Sequence, residues 1–278
     1  MKKISRRSFL AAAGLSVAAL ALTACGGSAS SVASSVASSA SSAAASTSAA
    51  AGELTTVEAG KLTMATNAAF PPYEMTTDAG DFEGIDIETA QAIADKLGLE
   101  LQIDDMDFDA ALLSVQQGKA DIVMAGVTVT DERKAVMDFS DSYATGIQSI
   151  IVPEGSDIAS PDDLAGKKIG TQRGTTGYIY CSDDFGDENV VAYDDGLTAV
   201  QALNNGQVDA VVIDNAPAKE FVAANPGLVI LDTSYAEEDY AIGVAKGSSL
   251  KDAVNAALEE LKADGTLQSI VDKYITAE

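Results

Sequence analysis

The sequence predicts an α/β protein built from two similar lobes, and two observations carry that prediction. Short apolar runs alternate with amphipathic runs along most of the chain, which is the order of strands and helices in a parallel sheet. In addition, the segment from Gly118 to Gly126 recurs 88 residues later as Gly206 to Asp214, with Gly, Asp and Val in register. Each copy follows an apolar helical run, so both indicate a helix, a glycine stop and a short buried strand. Chance similarity of two short units is the alternative.

The elements follow in chain order. The first lobe is predicted to contain a strand at 61–66, a helix at 86–97 that stops at Gly98, and a strand at 100–103. The second lobe repeats the rhythm at 168–171, 176–181, 190–193, 197–205, 210–213 and 216–224. Extended apolar runs at 147–152 and 240–244 are expected to cross near a hinge, and helices at 250–261 and 267–274 to return to the first lobe. The predicted boundaries are 54–145 with 240–278 for lobe 1, and 146–239 for lobe 2.

The N-terminal 53 residues are predicted to lie outside this fold. Residues 1–24 combine a basic start with an apolar run at 9–22, which is typical of an export signal. Leu22-Thr23-Ala24-Cys25 is similar to a lipobox, so Cys25 is expected to become the lipidated first residue of the mature chain. A free cysteine near a flexible terminus is the alternative. The segment Ser5 to Leu10 also resembles a twin-arginine signal, which leaves the export route open. Residues 25–53, rich in Ser and Ala, are predicted to be a flexible linker that holds the domain off the outer face of the cytoplasmic membrane.

Charge and composition exclude several classes of function. The chain has 17 Lys and Arg against 42 Asp and Glu, and the signal removes four of the basic residues, so the mature formal charge is 13 − 42 = −29. Such a surface argues against nucleic acid and anionic lipid as partners. Histidine is absent, which removes histidine triads and most zinc sites. Cys181 has no intramolecular partner once Cys25 carries lipid. No metal, cofactor or catalytic residue is therefore expected, and an enzyme is the minority interpretation.

The scarce arginines indicate a binding site. Beyond residue 24 the only arginines are Arg133 and Arg173. Arg133 follows Gly126 and Thr128 closely, and its planar fork of donors suits a small anion; a surface arginine paired with a neighbouring acid is the alternative. By the repeat, Gly126 and Asp214 both fall just past the carboxyl end of a strand, where open α/β sheets bind ligands. A cation and a carboxylate in one cleft would complement a zwitterion, which predicts a free amino acid.

Several motifs carry a resemblance to a known family. Residues 62–74 (LTMATNAAFPPYE), 84–88 (GIDIE), 125–133 (AGVTVTDER) and 138–140 (DFS) resemble the polar amino-acid solute-binding proteins, family 3, that feed ABC importers. The match runs in order from about Leu62 to Tyr274, and one departure is Thr89, where a larger apolar residue is usual. The resemblance implies a type II periplasmic-binding-protein fold, in which each lobe is a mixed, mostly parallel sheet flanked by helices and two strands form a hinge. It also implies permease subunits as partners.

The same resemblance implies a role for each site residue. The ligand carboxylate would be held by Arg133, Gly126, Thr128, Thr175 and Thr176, and the ammonium by Asp214. The ligand side chain would lie between Phe70 and Phe108, with Asn67 and Gln172 at its tip. Neither tip position is basic, which disfavours an acidic ligand and fits a polar one such as arginine or glutamine. A dehydratase acting on prephenate-like acids, or a ligand sensor on the same scaffold, remain the alternatives.

Overall fold

The computed structural model describes residues 54–275. The predicted signal peptide, the linker at 25–53 and the lipidation site Cys25 lie outside these residues. The strands are β1 (Lys61–Thr66), β2 (Ala69–Phe70), β3 (Glu74–Thr76), β4 (Phe82–Glu83), β5 (Glu100–Asp105), β6 (Ile122–Val123), β7 (Met137–Pro153), β8 (Ile169–Gln172), β9 (Val190–Tyr193), β10 (Ala210–Asp214), β11 (Leu228–Ile230) and β12 (Ala236–Ala245). The helices are α1 (Ile85–Leu97), α2 (Phe108–Gln116), α3 (Asp131–Val136), α4 (Thr176–Phe185), α5 (Gly196–Asn204), α6 (Asn215–Ala224), α7 (Leu250–Ala263) and α8 (Thr266–Tyr274).

Nine of these strands form one mixed sheet in the order β5-β1-β6-β12-β7-β10-β8-β9, with β11 beside β7. The β1 strand pairs in parallel with β5 and β6 on one side of the sheet, and β8 pairs in parallel with β9 and β10 on the other. Between these parallel groups lie β7 and β12, which pair with each other in antiparallel register. The predicted parallel βαβ units are therefore present on both sides.

The two central strands reach into both halves of the sheet. The C-terminal end of β7 pairs with β10 through residues 148–151, whereas β12 pairs with β6 through Gly243 and Val244. Their mutual pairing is interrupted by bulges around Ala241. The predicted lobe boundaries at 145/146 and 239/240 fall inside these two strands. Both are longer than the apolar runs suggested, because their polar residues are also hydrogen-bonded into the sheet.

Helix α1 shows how local sequence sets the frame of the site. Its apolar residues recur at helical spacing, and Ile93 and Ala94 are fully buried against the sheet. Gly98 ends the helix with a φ of 69°. At the other end, a Cβ on Gly84 would come within 2.2 Å of the Tyr73 carbonyl oxygen, so only glycine permits this close approach. The start of α1 is thereby held against the strand that carries Glu74.

A small second sheet of β2, β3 and β4 was not predicted, because its strands of two or three residues carry no period in the sequence. It places the motif around Phe70 beside the end of β1.

Cys181, whose role the sequence left open, is fully buried in α4. Burial raises the pKa of its thiol to about 12, so it is an unreactive packing residue at neutral pH.

Candidate functional site

A pocket lies where the carboxyl ends of β1, β6, β8 and β10 converge. The structure brings together in its lining all ten residues that the sequence singled out for ligand contact: Asn67, Phe70, Phe108, Gly126, Thr128, Arg133, Gln172, Thr175, Thr176 and Asp214. Glu74, Ala125, Gln148, Val212, Ile213 and Tyr240 complete the lining. These residues come from both sides of the sheet and from its two central strands, so the pocket depends on the whole fold.

Arg133 supplies the cation of this pocket. It lies in α3, whose N-cap Thr130 accepts a hydrogen bond from the Arg133 backbone N–H at 3.2 Å. The guanidinium donates from Nη1 to the Thr128 carbonyl at 2.8 Å and from Nη2 to the Gly174 carbonyl at 3.1 Å. Burial lowers the pKa of Arg133, and the nearby Glu238 charge opposes that shift. A guanidinium has five N–H donors, so three remain for an anion in the pocket.

The turn before α4 contains Thr175, whose hydroxyl is used in hydrogen bonds within the protein. Thr175 caps the helix: its hydroxyl oxygen accepts from the Tyr178 backbone N–H at 3.3 Å, and its proton goes to the Gln172 carbonyl at 2.8 Å. Thr176 begins the helix, where backbone N–H groups have no intrahelical acceptor. The N-terminus of α4 therefore presents N–H donors and a positive dipole end to the pocket.

Glu238, which the sequence analysis missed, takes the remaining hydroxyl protons. Its Oε2 accepts from the Thr128 hydroxyl at 3.1 Å, the Thr176 hydroxyl at 2.9 Å and Gln148 Nε2 at 3.0 Å. Each hydroxyl has one proton to donate. In this arrangement Thr128 and Thr176 cannot also donate their hydroxyl protons to a ligand carboxylate. No sequence signal marks Glu238 as inward-facing, because it stands between two other acids, Glu237 and Asp239. Only in the folded strand β12 do exposed and buried residues alternate at these positions.

Asp214 supplies the buried carboxylate. It is the last residue of β10 and the N-cap of α6, and it is 2 % exposed. Its Oδ1 accepts from the Ala216 backbone N–H at 3.0 Å and its Oδ2 from the Ile147 backbone N–H at 2.7 Å. Burial raises the pKa of Asp214 to about 6, and these two hydrogen bonds oppose the rise. The group is therefore ionised at neutral pH but protonates in mild acid.

Gly126 is held by a second buried acid. Its backbone N–H donates to Asp86 Oδ2 at 3.0 Å, and Tyr143 donates its hydroxyl to the same oxygen at 2.8 Å. Burial raises the pKa of Asp86 to about 6 and, more strongly, that of the neighbouring Glu74. Because the N–H of Gly126 is already used, its carbonyl is the backbone group left for a ligand. This points to a cationic partner for Gly126 rather than the carboxylate that the sequence analysis expected.

Two amides form one wall of the pocket. Gln172 donates from Nε2 to Asn67 Oδ1 at 2.8 Å, and Asn67 donates from Nδ2 to the Met106 carbonyl at 2.9 Å. Gln172 Nε2 also lies 3.3 Å from the Asp194 carbonyl. These bonds use both N–H groups of the Gln172 amide and leave its Oε1 as an acceptor.

The two predicted aromatic residues both line the pocket but have different neighbours. The Phe108 ring centroid lies 5.3 Å from Arg133 Cζ, within cation–π range. Phe70 instead stacks on Tyr73, with ring centroids 5.9 Å apart. Tyr73 in turn meets Tyr240 edge to face at 5.4 Å. The pocket therefore has an apolar floor that continues into the core.

Comparison with known proteins decides the family. The family model described as bacterial extracellular solute-binding proteins, family 3, matches residues 62–277. The chain belongs to this family. A curated relative, the probable histidine-binding protein of Neisseria gonorrhoeae, is 33% identical over 275 residues, which covers 96% of this chain and 95% of the relative. The predicted solute-binding role is confirmed at this level, and the family is extracytoplasmic.

Solved structures agree in fold. The arginine-, lysine-, histidine-binding protein ArtJ from Geobacillus stearothermophilus has a TM-score of 0.75 and 34% identity, covering 78% of this chain and 96% of ArtJ. An ancestral arginine-binding protein bound to glutamine has a TM-score of 0.75 and 42% identity, covering 79% of this chain and 100% of the ancestral protein. The predicted type II periplasmic-binding-protein fold is confirmed. These relatives are named as binding proteins, not as enzymes. Over residues 54–275, none of the helices combines the length and the apolarity that crossing a bilayer requires.

Proposed function

We propose that this protein captures a free polar L-amino acid in the pocket and delivers it to the permease subunits of an ABC importer, while Cys25 anchors it by lipid to the outer face of the cytoplasmic membrane. The observation that carries the proposal is that one pocket contains a buried guanidinium, Arg133, and a buried carboxylate, Asp214. A zwitterion satisfies both charges at once, whereas an anion or a cation alone would leave one buried charge uncompensated.

The carboxylate of the amino acid binds Arg133 and the N-terminus of α4. The three free N–H groups of the guanidinium provide a charged fork, and the first turn of α4, beginning at Thr176, provides backbone donors. Thr175 and Thr128 shape this end of the pocket. The hydrogen bond from Arg133 to the Gly174 carbonyl holds the guanidinium near that turn.

The ammonium of the amino acid binds Asp214 and the Gly126 carbonyl. Asp214 already accepts two backbone hydrogen bonds, which fix its position before a ligand arrives. Asp86 fixes the Gly126 peptide in the orientation that leaves its carbonyl available. This division of roles moves Gly126 from the carboxylate end, where the resemblance put it, to the ammonium end.

The amino-acid side chain lies along Phe70 and Phe108 and ends near the paired amides. Because Gln172 Oε1 is an acceptor, a side chain that ends in N–H donors fits better than one that ends in a carboxylate. Arginine and glutamine both meet this requirement. The names of the relatives agree: histidine for one, arginine, lysine and histidine for another, and arginine and glutamine for the ancestral protein.

Binding is coupled to closure. The pocket walls come from segments assigned to both predicted lobes, so ligand contacts from the two sides exist together only when the lobes are closed. Closure excludes water and strengthens both ion pairs. The closed, loaded form is the state that docks on the permease, and β7 and β12 are the strands that bend.

Isothermal titration with arginine, glutamine, glutamate and lysine tests the ligand assignment. Arginine or glutamine should bind at micromolar concentrations or below, and glutamate should not. Binding of glutamate alone would refute the assigned side-chain pocket.

Incubation with prephenate, monitored by the absorbance of prephenate, tests the dehydratase alternative, and no turnover is expected. A Cys25→Ala chain should be released from the membrane fraction of producing cells, whereas retention would contradict lipid anchoring.

A further inference from the structure

Glu238 joins four separate segments at one carboxylate oxygen. It lies on β12, and its Oε2 accepts hydrogen bonds from Thr128, which precedes α3, from Thr176, the first residue of α4, and from Gln148 on β7. Thr128 belongs to predicted lobe 1 and Thr176 to predicted lobe 2. One oxygen atom therefore bridges the two sides of the pocket and both of its central strands.

The burial of Glu238 sets it apart from its neighbours. Glu238 is 6 % exposed, whereas the adjacent acids Glu237 and Asp239 are exposed. A buried carboxylate is costly unless it is paired and hydrogen-bonded. Arg133 supplies the nearby opposite charge, and the three hydrogen bonds stabilise Oε2. The other oxygen, Oε1, is buried, and no donor in the described structure meets hydrogen-bond geometry with it, although the Tyr180 hydroxyl lies near enough to interact with Glu238. Burying this carboxylate costs free energy, and its hydrogen bonds break when the Thr128 and Thr176 hydroxyls move apart.

Glu238 does not itself line the pocket. Two further hydrogen bonds that cross the pocket, from Arg133 to the Gly174 carbonyl and from Gln172 to Asn67, involve side chains that contact the ligand in the proposed function. These side chains therefore have a direct part in holding the ligand. The Thr128 and Thr176 hydroxyl oxygens also lie 3.4 Å from each other. Glu238 lies behind the lining residues Thr128, Thr176 and Gln148, so a ligand can occupy the pocket without displacing it. Its hydrogen bonds are therefore suited to holding the closed state once it has formed.

We propose that Glu238 is a positioning residue that fastens the closed state by accepting the Thr128 and Thr176 hydroxyl protons, and so sets how long a bound amino acid stays. The proposal rests on the proposed function. It also gives the two threonines a role different from direct donation to the ligand: their hydroxyls hold the lobes together through Glu238. Association occurs before this contact forms, so the rate that depends on Glu238 is the dissociation rate.

The test is a set of dissociation and association rates on the lipid-free protein with radiolabelled arginine and glutamine. Glu238→Ala should release the bound ligand at least about tenfold faster, with an association rate within about threefold of the unchanged protein. Glu238→Gln keeps one acceptor oxygen, so its dissociation rate should lie between those of the unchanged protein and of Glu238→Ala. Glu237→Ala, the neighbouring exposed acid, is the matched control and should change neither rate.

A double-mutant comparison separates fastening from direct ligand contact. If the Thr176 hydroxyl acts through Glu238, Thr176→Val should speed dissociation in the unchanged protein but add little in the Glu238→Ala background. If the two effects multiply, or if folded Glu238→Ala dissociates at the unchanged rate, the inference is overturned. Should Glu238→Ala not fold, the combined Thr128→Val and Thr176→Val variant must itself show the tenfold faster dissociation. Failure of the unchanged protein to bind any amino acid would instead overturn the proposed function, and this inference with it.

Discussion

Replacing Arg133 by alanine should remove most of the affinity for the amino acid. Arg133 is 8 % exposed, and its guanidinium donates to the Thr128 and Gly174 carbonyls at 2.8 and 3.1 Å. Its loss leaves the ligand carboxylate buried without a charged partner. Truncating one partner of a buried charge pair costs about 2 to 5 kcal/mol. That loss corresponds to a roughly 30- to 4,000-fold higher Kd.

The chain provides a matched control for this substitution. Arg173 immediately precedes the Gly174 turn, but its side chain is 53% exposed and its ion pair with Asp194 spans 3.7 Å. Exposed pairs of this kind contribute about 0 to 1 kcal/mol. Arg173→Ala should therefore leave Kd within about fivefold of the unchanged value, by the same arithmetic. Calorimetric titration of both variants, after circular dichroism has shown that both are folded, gives the comparison. Equal affinities for the folded Arg133→Ala variant and the unchanged protein would refute the assigned role.

Three further substitutions or conditions probe the remaining parts of the site. The pKa of Asp214 is raised to about 6, and the ligand ammonium needs the ionised carboxylate. Affinity should therefore be constant above pH 7 and fall about tenfold per pH unit below 6. A Kd that does not change between pH 7 and 5 would contradict this. Gly126→Ala, at a φ of 54° and with its Cβ 3.0 Å from the Phe70 ring, should cost about 1 to 3 kcal/mol of unfolding free energy in urea. Phe108→Leu, which keeps bulk but loses the aromatic face that the proposed site offers to a ligand guanidinium, should weaken binding of arginine by about 0.5 to 2 kcal/mol, and an unchanged Kd would count against that placement.

Local patterns were sufficient for most of the secondary structure. The helix predicted at 86–97 is observed as Ile85–Leu97, because apolar spacing and the Gly98 stop are both encoded within the segment itself. The short strands β2 to β4 were missed because pairing, not periodicity, defines them. The full length of β7 was also underestimated, since its polar residues are held by partners distant in sequence.

The site was predictable in composition but not in its internal bonding. The resemblance and the internal repeat together identified ten residues that the fold does bring into one pocket. What they could not show is which donors remain free. Glu238 reaches Thr128 across 110 residues of sequence and Gln148 across 90, so only the folded chain reveals that it takes the hydroxyl proton. In the same way, the use of the Gly126 N–H by Asp86 is invisible in the sequence.

A thermal-shift screen against the common amino acids tests the central claim most directly. The protein is produced without residues 1–25, so that it carries no lipid, and is unfolded and refolded first to remove any carried-over ligand. A ligand at 100 times its Kd stabilises the folded state by about 2.7 kcal/mol. For a domain of this size that is a rise in Tm of roughly 5 to 11 °C. Our account predicts such a rise with arginine, glutamine or a related basic or amide amino acid, and none with glutamate or aspartate. No rise with any amino acid would contradict it.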